Sequence, residues 1–216
     1  ADGLIVISKY LEKYYAAQKT VLIPPLVDKS EPKWLLTSKT SRKIFRLVYA
    51  GWPSKVKERL DLLVNSIEKI AAKLPVQLDI YGINEQDYRK IYSLQERSVF
   101  PPCIIFHGKV SHQEAIQAVK DADYSLIIRE SSRKNNAGFP SKLVESISCG
   151  TPVLTTAISN VADYVHDGNN GYIISIATLE QDIEKAVQYR SHVKVNDGLF
   201  DCSRYISPMA AFLNSL

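Results

Sequence analysis

The chain has 216 residues, 45% of them hydrophobic and 23% charged, a make-up that suits a soluble globular protein with room for one full domain and a smaller piece. Its net charge of +4 suits an anionic ligand and is too small to argue for nucleic acid. No apolar run approaches the ~20 residues of a membrane helix, the first residues lack the pattern of a signal peptide, and the four histidines have no metal-ligand spacing. The cysteines, Cys103, Cys149 and Cys202, are odd in number and widely spaced, which predicts thiols buried as small hydrophobes in a reducing compartment.

In chain order, residues 4–8 read as a buried strand ending in a helix-capping serine. A helix follows from about Lys9 to Ala17, and a second short strand, Thr20–Pro24, is stopped by Pro24-Pro25. Polar, proline-bearing sequence over residues 25–44 reads as a linker, and its basic cluster of Lys39, Arg42, Lys43 and Arg46 as solvated surface. From Phe45 the pattern becomes regular. Phe45–Gly51 is a predicted strand, Glu58–Lys73 an amphipathic helix, Val76–Gly82 a strand, and Glu85–Leu94 a helix. Ile104–Gly108, a helix capped by Ser111, and the strand Tyr124–Arg129 come next. After a long polar loop there follow a helix from Ser141, a strand at Thr151–Thr155, a short helix near Val161–Val165 and a strand at Tyr172–Ile176. Helices at Glu180–Arg190 and Ile206–Leu216 close the chain. Alternating strands and helices, with several strands apolar on both faces, predict an α/β, Rossmann-like parallel sheet with helices on both faces. Ligands of such sheets bind at the carboxyl ends of the strands.

The most informative stretch is Gly138-Phe139-Pro140-Ser141-Lys142-Leu143-Val144-Glu145, continuing through Cys149-Gly150-Thr151-Pro152-Val153. At 3.6 residues per turn, Leu143, Val144 and Ile147 share one side of the helix, and Ser141, Lys142, Glu145 and Cys149 the other. A helix start presents unpaired amides and partial positive charge, which suits a phosphate at Ser141. The Glu145 carboxylate one turn on can accept two hydrogen bonds from a diol such as ribose. A structural alternative is an exposed i,i+3 ion pair of Lys142 with Glu145. Gly51 permits a sharp turn after its strand, and Lys55 and Lys57 beside the next helix start can neutralise a diphosphate or simply face water. The loop Arg129–Gly138 is long, polar and basic, with Arg133 and Lys142 available to a phosphate.

The stretch resembles the donor motif of GT-B retaining glycosyltransferases of the group 1, or family 4, type: Glu, seven residues, Glu, then a small residue, Gly, Thr or Val, Pro and Val. Glu145 matches the second Glu and Cys149–Val153 the tail, while Ala137 stands where the first Glu belongs. Glu130 replaces it only if the loop folds back. Some branches read Gly-Phe-Pro-x-Lys-x-x-Glu and lack the first Glu, and Gly138–Glu145 fits that version.

The resemblance implies one half of a GT-B fold: residues 1–24 a remnant of the N-terminal half, 25–44 a linker, 45–195 the donor nucleotide-sugar domain and 196–216 a C-terminal helix. It implies a retaining, metal-independent sugar transfer from a nucleotide-diphosphate sugar such as a UDP- or GDP-sugar to a saccharide or lipid-linked acceptor, with no cofactor. Glu145 would hold the ribose. Lys55, Lys57, Ser141, Lys142 and Arg133 would hold the phosphates. Backbone at Gly138, Phe139 and Pro140 would meet the sugar, and Gly108, Lys109 and Val110 the base, with Gly51 and Gly82 as shaping turns. No catalytic base is identified. This piece alone is expected to bind nucleotide without turnover, because most of the acceptor site belongs to the other half. The expected setting is the cytoplasm, at the inner face of the membrane where lipid-linked acceptors lie. The alternatives are a non-catalytic nucleotide-binding domain, favoured by Ala137, and a GT-B nucleotide-sugar epimerase.

Overall fold

In a computed structural model describing residues 2–36, 42–54, 57–94, 99–189, 193 and 195–216, six parallel strands form one sheet. Ahead of it stand β1 (Leu4–Val6), α1 (Lys9–Tyr14) and β2 (Thr20–Leu22), a separate two-stranded parallel pair. The main sheet contains β3 (Phe45–Ala50), β4 (Val76–Tyr81), β5 (Ile104–Gly108), β6 (Tyr124–Ile127), β7 (Val153–Thr156) and β8 (Gly171–Ile174). Its order is β5-β4-β3-β6-β7-β8, so strand order reverses between β3 and β6. In open sheets of this kind such a reversal is where ligands bind, outside the carboxyl ends of the two strands. The parallel α/β expectation holds.

The crossover helices cover both faces. On one lie α2 (Leu60–Ala71), α3 (Glu85–Tyr92) and α7 (Leu179–Gln188), and on the other α4 (His112–Asp121) and α6 (Ser141–Ser148). Helix α2 shows why the sequence folds this way. Leu60, Leu63, Val64, Ile67 and Ile70 recur at helical spacing and are all buried against the sheet. Each such burial contributes about 1.5–3 kcal/mol relative to exposure. On the other face Leu143, Val144 and Ile147 of α6 pack with Ile127, Val153 and Phe139. Among the described residues no helix is long and apolar enough to cross a membrane.

Several elements differ from expectation. Residues 25–36 lie docked on the sheet body. Pro32–Trp34 is a 3₁₀ turn whose indole is buried against Val48, Ile116, Val119 and Cys149. Lys29 ties this segment down through Trp34 O, Ser148 O and Asp197, and the Lys120 ammonium donates to Leu35 O. Lys39 of the basic cluster lies outside the described residues. The 129–138 loop contains a five-residue helix, α5 (Arg133–Ala137), because the Ser132 hydroxyl accepts from Asn135 N and the buried Asn135 amide donates to Glu130 O. Of the thiols, Cys149 is buried, Cys103 half-buried and Cys202 exposed. After a 3₁₀ turn at Cys202–Tyr205, helix α8 (Ile206–Leu213) returns to the β1–β2 pair, where Phe212 and Leu216 crowd Gly3.

Candidate donor-binding crevice

Three glycine turns floor the crevice. Gly51 N donates to Tyr81 O, Gly82 N to Gly108 O, and Gly108 N to Ile83 O, so the hydrogen-bond ladder continues past the ends of β3, β4 and β5. Gly82 has φ +99°, and a Cβ there would lie 2.7 Å from the carbonyl oxygen of Gly51. Side chains are excluded because two turns pass back to back. A Cβ on Gly51, at φ +138°, would meet Lys142 Cε at 2.5 Å. The Lys142 side chain therefore lies directly over the first turn, which places the start of α6 against it.

A residue that the periodicity assigned to a helix start organises this corner. Glu58 precedes α2 and is only 3% exposed. Its Oε2 accepts from Lys142 Nζ at 2.8 Å and from the Tyr49 hydroxyl, and its Oε1 accepts from Arg129 Nη2 at 2.8 Å. Burial alone would raise the Glu58 pKa, but Lys142, Tyr49 and Arg129 together hold it at about 2. Lys142 responds in the opposite sense. Burial pushes its ammonium down to about 8, because its one carboxylate partner does not outweigh desolvation and the repulsion of Arg129 and Lys57. The same ammonium sits 3.9 Å from the Tyr49 ring centroid.

Glu145 and Lys142 do not form the alternative i,i+3 pair. Lys142 turns to Glu58, and Glu145 faces His112 at the start of α4, Oε1 to Nε2 3.2 Å, with about a third of its side chain exposed. Ser141 is exposed, and Leu143 N already donates to Pro140 O at 2.9 Å, so the amides ahead of that bond at the start of α6 are those of Ser141 and Lys142. Pro140 is the N-cap of α6, one place earlier than the first-turn position. Lys57 is exposed at the rim, while Lys55 lies outside the described residues. Arg133 sets its guanidinium over the ring of Tyr14 in α1, 6.0 Å to the centroid. The Phe139 side chain belongs to the core, edge-on to Tyr164 at 5.3 Å and near Phe200 at 6.0 Å. Gly138 has no positive φ and caps α5. The Gly108 amide is engaged by Ile83 O, while Lys109 is exposed and Val110 half-buried beside it.

Ala137 offers a methyl group, and its carbonyl already accepts from Ser8 Oγ at 2.8 Å. Glu130 is bound by Arg59, which also pairs with Asp61 at 2.8 Å, so the structure does not fold Glu130 back into the place of the absent carboxylate. Sequence reasoning missed Glu58, His112 and Trp52. Trp52 follows the Gly51 turn, is 53% exposed, and lies under the Lys109 ammonium at 5.6 Å from the ring centroid. An exposed tryptophan next to a glycine turn was the available signal for it. A surface recess of about 560 Å³ between α2 and α7 contains none of these residues and is lined by the Lys69–Glu180 and Lys73–Glu184 ion pairs. Among the described residues no three His, Cys, Asp or Glu side chains converge as a metal site.

Comparison with known families places residues 44–190 on the model of glycosyl transferases group 1. Comparison with curated protein sequences gives no significant match. Solved structures that cover this whole chain include sucrose-phosphate synthase from Thermosynechococcus elongatus, at TM-score 0.74, 18% identity and 58% of that chain. They also include the GtfA/B complex, at TM-score 0.71, 19% identity and 45% of that chain. A third is Anabaena Alr3699/HepE in complex with UDP and glucose, at TM-score 0.71, 17% identity and 64% of that chain. The present chain thus spans roughly half to two thirds of these structures.

Proposed function

Because the chain belongs to the group 1 glycosyl transferases, we propose that it is the donor-binding part of a retaining transferase that takes sugar from a nucleoside-diphosphate sugar. The observation that supports this reading is the seating of the α6 start, through Lys142, on the Gly51 turn where strand order reverses between β3 and β6, with Glu145 one helical turn further along α6 beside His112. Phosphate settles at the free amides and the nearby cations, and Glu145 one turn on accepts from the ribose hydroxyls. Trp52, Lys109 and Val110 bound the base. Departure of the nucleoside diphosphate develops negative charge, which Lys57, Lys142 and the helix start offset, without a bound metal ion in this reading. Anabaena Alr3699/HepE, whose structure holds UDP and glucose, supports a uridine donor. The acceptor is a saccharide or a lipid-linked saccharide, met in the other half of the whole protein at the cytoplasmic face of the membrane.

A second reading, nucleotide binding without catalysis, draws on Ala137 and on the engagement of Glu130 by Arg59. One experiment addresses both. Calorimetric titration with UDP, GDP and ADP, with and without EDTA, is expected to show binding of one nucleotide irrespective of chelator. Glu145→Gln is expected to weaken it about tenfold to a hundredfold, the loss of hydrogen bonds to a charged acceptor. Equal binding by the variant removes Glu145 from the site. Donor turnover by the full-length protein separates transferase from binding module.

A further inference from the structure

The Glu58 cluster carries an imbalance. Arg129 and Lys142 bring two positive charges to one carboxylate, leaving one in surplus inside the crevice. Arg129 is 5% exposed, and its Nε has no hydrogen-bond partner. Only 15% of the Lys142 side chain is exposed, at the Gly51 turn. The groups facing this ammonium are Tyr49 from β3, Lys57 and Glu58 from the loop before α2, and Arg129 after β6. On its own helix Glu145 is directed to His112. A buried ammonium with a single counter-ion and two cationic neighbours is held in its charged form chiefly by Glu58.

Resting on the donor-site reading, we propose that Glu58 is a positioning residue that holds Lys142 charged in the crevice, and that docking of a nucleoside diphosphate there draws a proton from solvent onto Lys142. The incoming diphosphate adds negative charge beside Nζ and makes the protonated amine the favoured form. The proton comes from the buffer acid, and no bond other than N–H forms. Glu58 does not touch the ligand. It acts through Lys142, and its oxygens stay on Arg129 and Tyr49 when the ligand is bound.

The test is calorimetry of the full chain with UDP from pH 7 to 9.5, above the last phosphate ionisation near ~6, in buffers of different ionisation enthalpy. The expected result is uptake of about half a proton at pH 8, near zero at pH 7, with affinity falling toward about tenfold per pH unit above 8. Lys142→Arg cannot lose its proton in this range and is expected to give no uptake and a flat profile. Glu58→Gln is expected to move the fall in affinity about one pH unit lower, leaving pH 7 within about twofold of wild type and pH 8 about fivefold weaker. A purely structural role for Glu58 weakens binding equally at every pH, and that outcome overturns the proposal. So does a wild-type profile that is flat with no proton uptake. Failure of wild type to bind any nucleoside diphosphate overturns the donor-site reading itself and the proposal with it.

Discussion

Two buried carboxylates in this molecule have opposite surroundings. Asp79 sits mid-strand in β4, paired in register with Val48, and is 2% exposed. It accepts from Arg46 Nε at 3.0 Å and Nη2 at 2.8 Å, from Gln77 Nε2 at 3.0 Å, and meets His107 Nε2 at 2.8 Å. One full cation faces one anion, the rest of the coordination is made by polar groups, and Arg46 keeps 28% of its side chain in water. The His107 ring stacks on Tyr81 at 4.0 Å, which closes the network over the sheet face. Glu58 lies at the strand ends, is equally buried, and faces two cations that are themselves buried. A balanced cluster holds a sheet together. An unbalanced one at the strand ends leaves a positive charge over, which the donor-site reading assigns to an anion.

Substitution should separate the two most sharply at Glu58. Glu58→Ala leaves Arg129 and Lys142 buried without a counter-ion, and a loss of about 3–5 kcal/mol is expected in urea unfolding at pH 7. Asp79→Asn is expected to cost less, about 1–2 kcal/mol, since Arg46 can turn to water. Similar losses at both sites would erase the distinction.

Acid supplies an independent check. A carboxyl whose folded pKa lies below its ordinary 4.5 contributes stability that is complete above that value and is lost as pH falls through about 2. Wild type should therefore lose about 3 kcal/mol between pH 5 and 2 that Glu58→Gln does not, read from unfolding free energies across that range. Identical acid limbs would mean that the cations do not hold Glu58 down. The smallest effect belongs to a surface pair. Lys9 and Asp163 are 2.7 Å apart, but their side chains are 59% and 39% exposed. Lys9→Ala should change stability by less than about 1 kcal/mol, and a larger change would show that exposure is a poor guide to charge pairs here.

These contrasts also mark what the sequence disclosed. The strands of the main sheet were legible because apolar runs end in glycine, as at Phe45–Gly51 and Val76–Gly82. Helix α6 was legible because its pattern is local. Glu58 was not, since its two cationic partners lie 71 and 84 positions away and its spacing fits a helix start. The structure starts α2 at Leu60 because Glu58 turns inward to its cations. Trp34 was hidden in a proline-bearing polar stretch, where local composition says loop but the indole finds a hydrophobic seat between α4 and α6. The placement of Arg133 over Tyr14 of α1 was likewise not legible, because it depends on how α5 meets an element more than a hundred positions earlier. Sequence reasoning handles periodic elements and contiguous motifs, and loses contacts set by how loops cross.

The bonded turns at Gly51, Gly82 and Gly108 have a thermodynamic consequence. Their backbone amides and carbonyls are already committed to one another, so this floor is ordered before anything settles on it. Little main-chain freedom is left there to lose. The conformational entropy given up on occupation falls instead on exposed side chains above the floor, Trp52, Lys57 and Lys109. Changes in those three should therefore alter how a ligand is selected while leaving the shape of its seat intact.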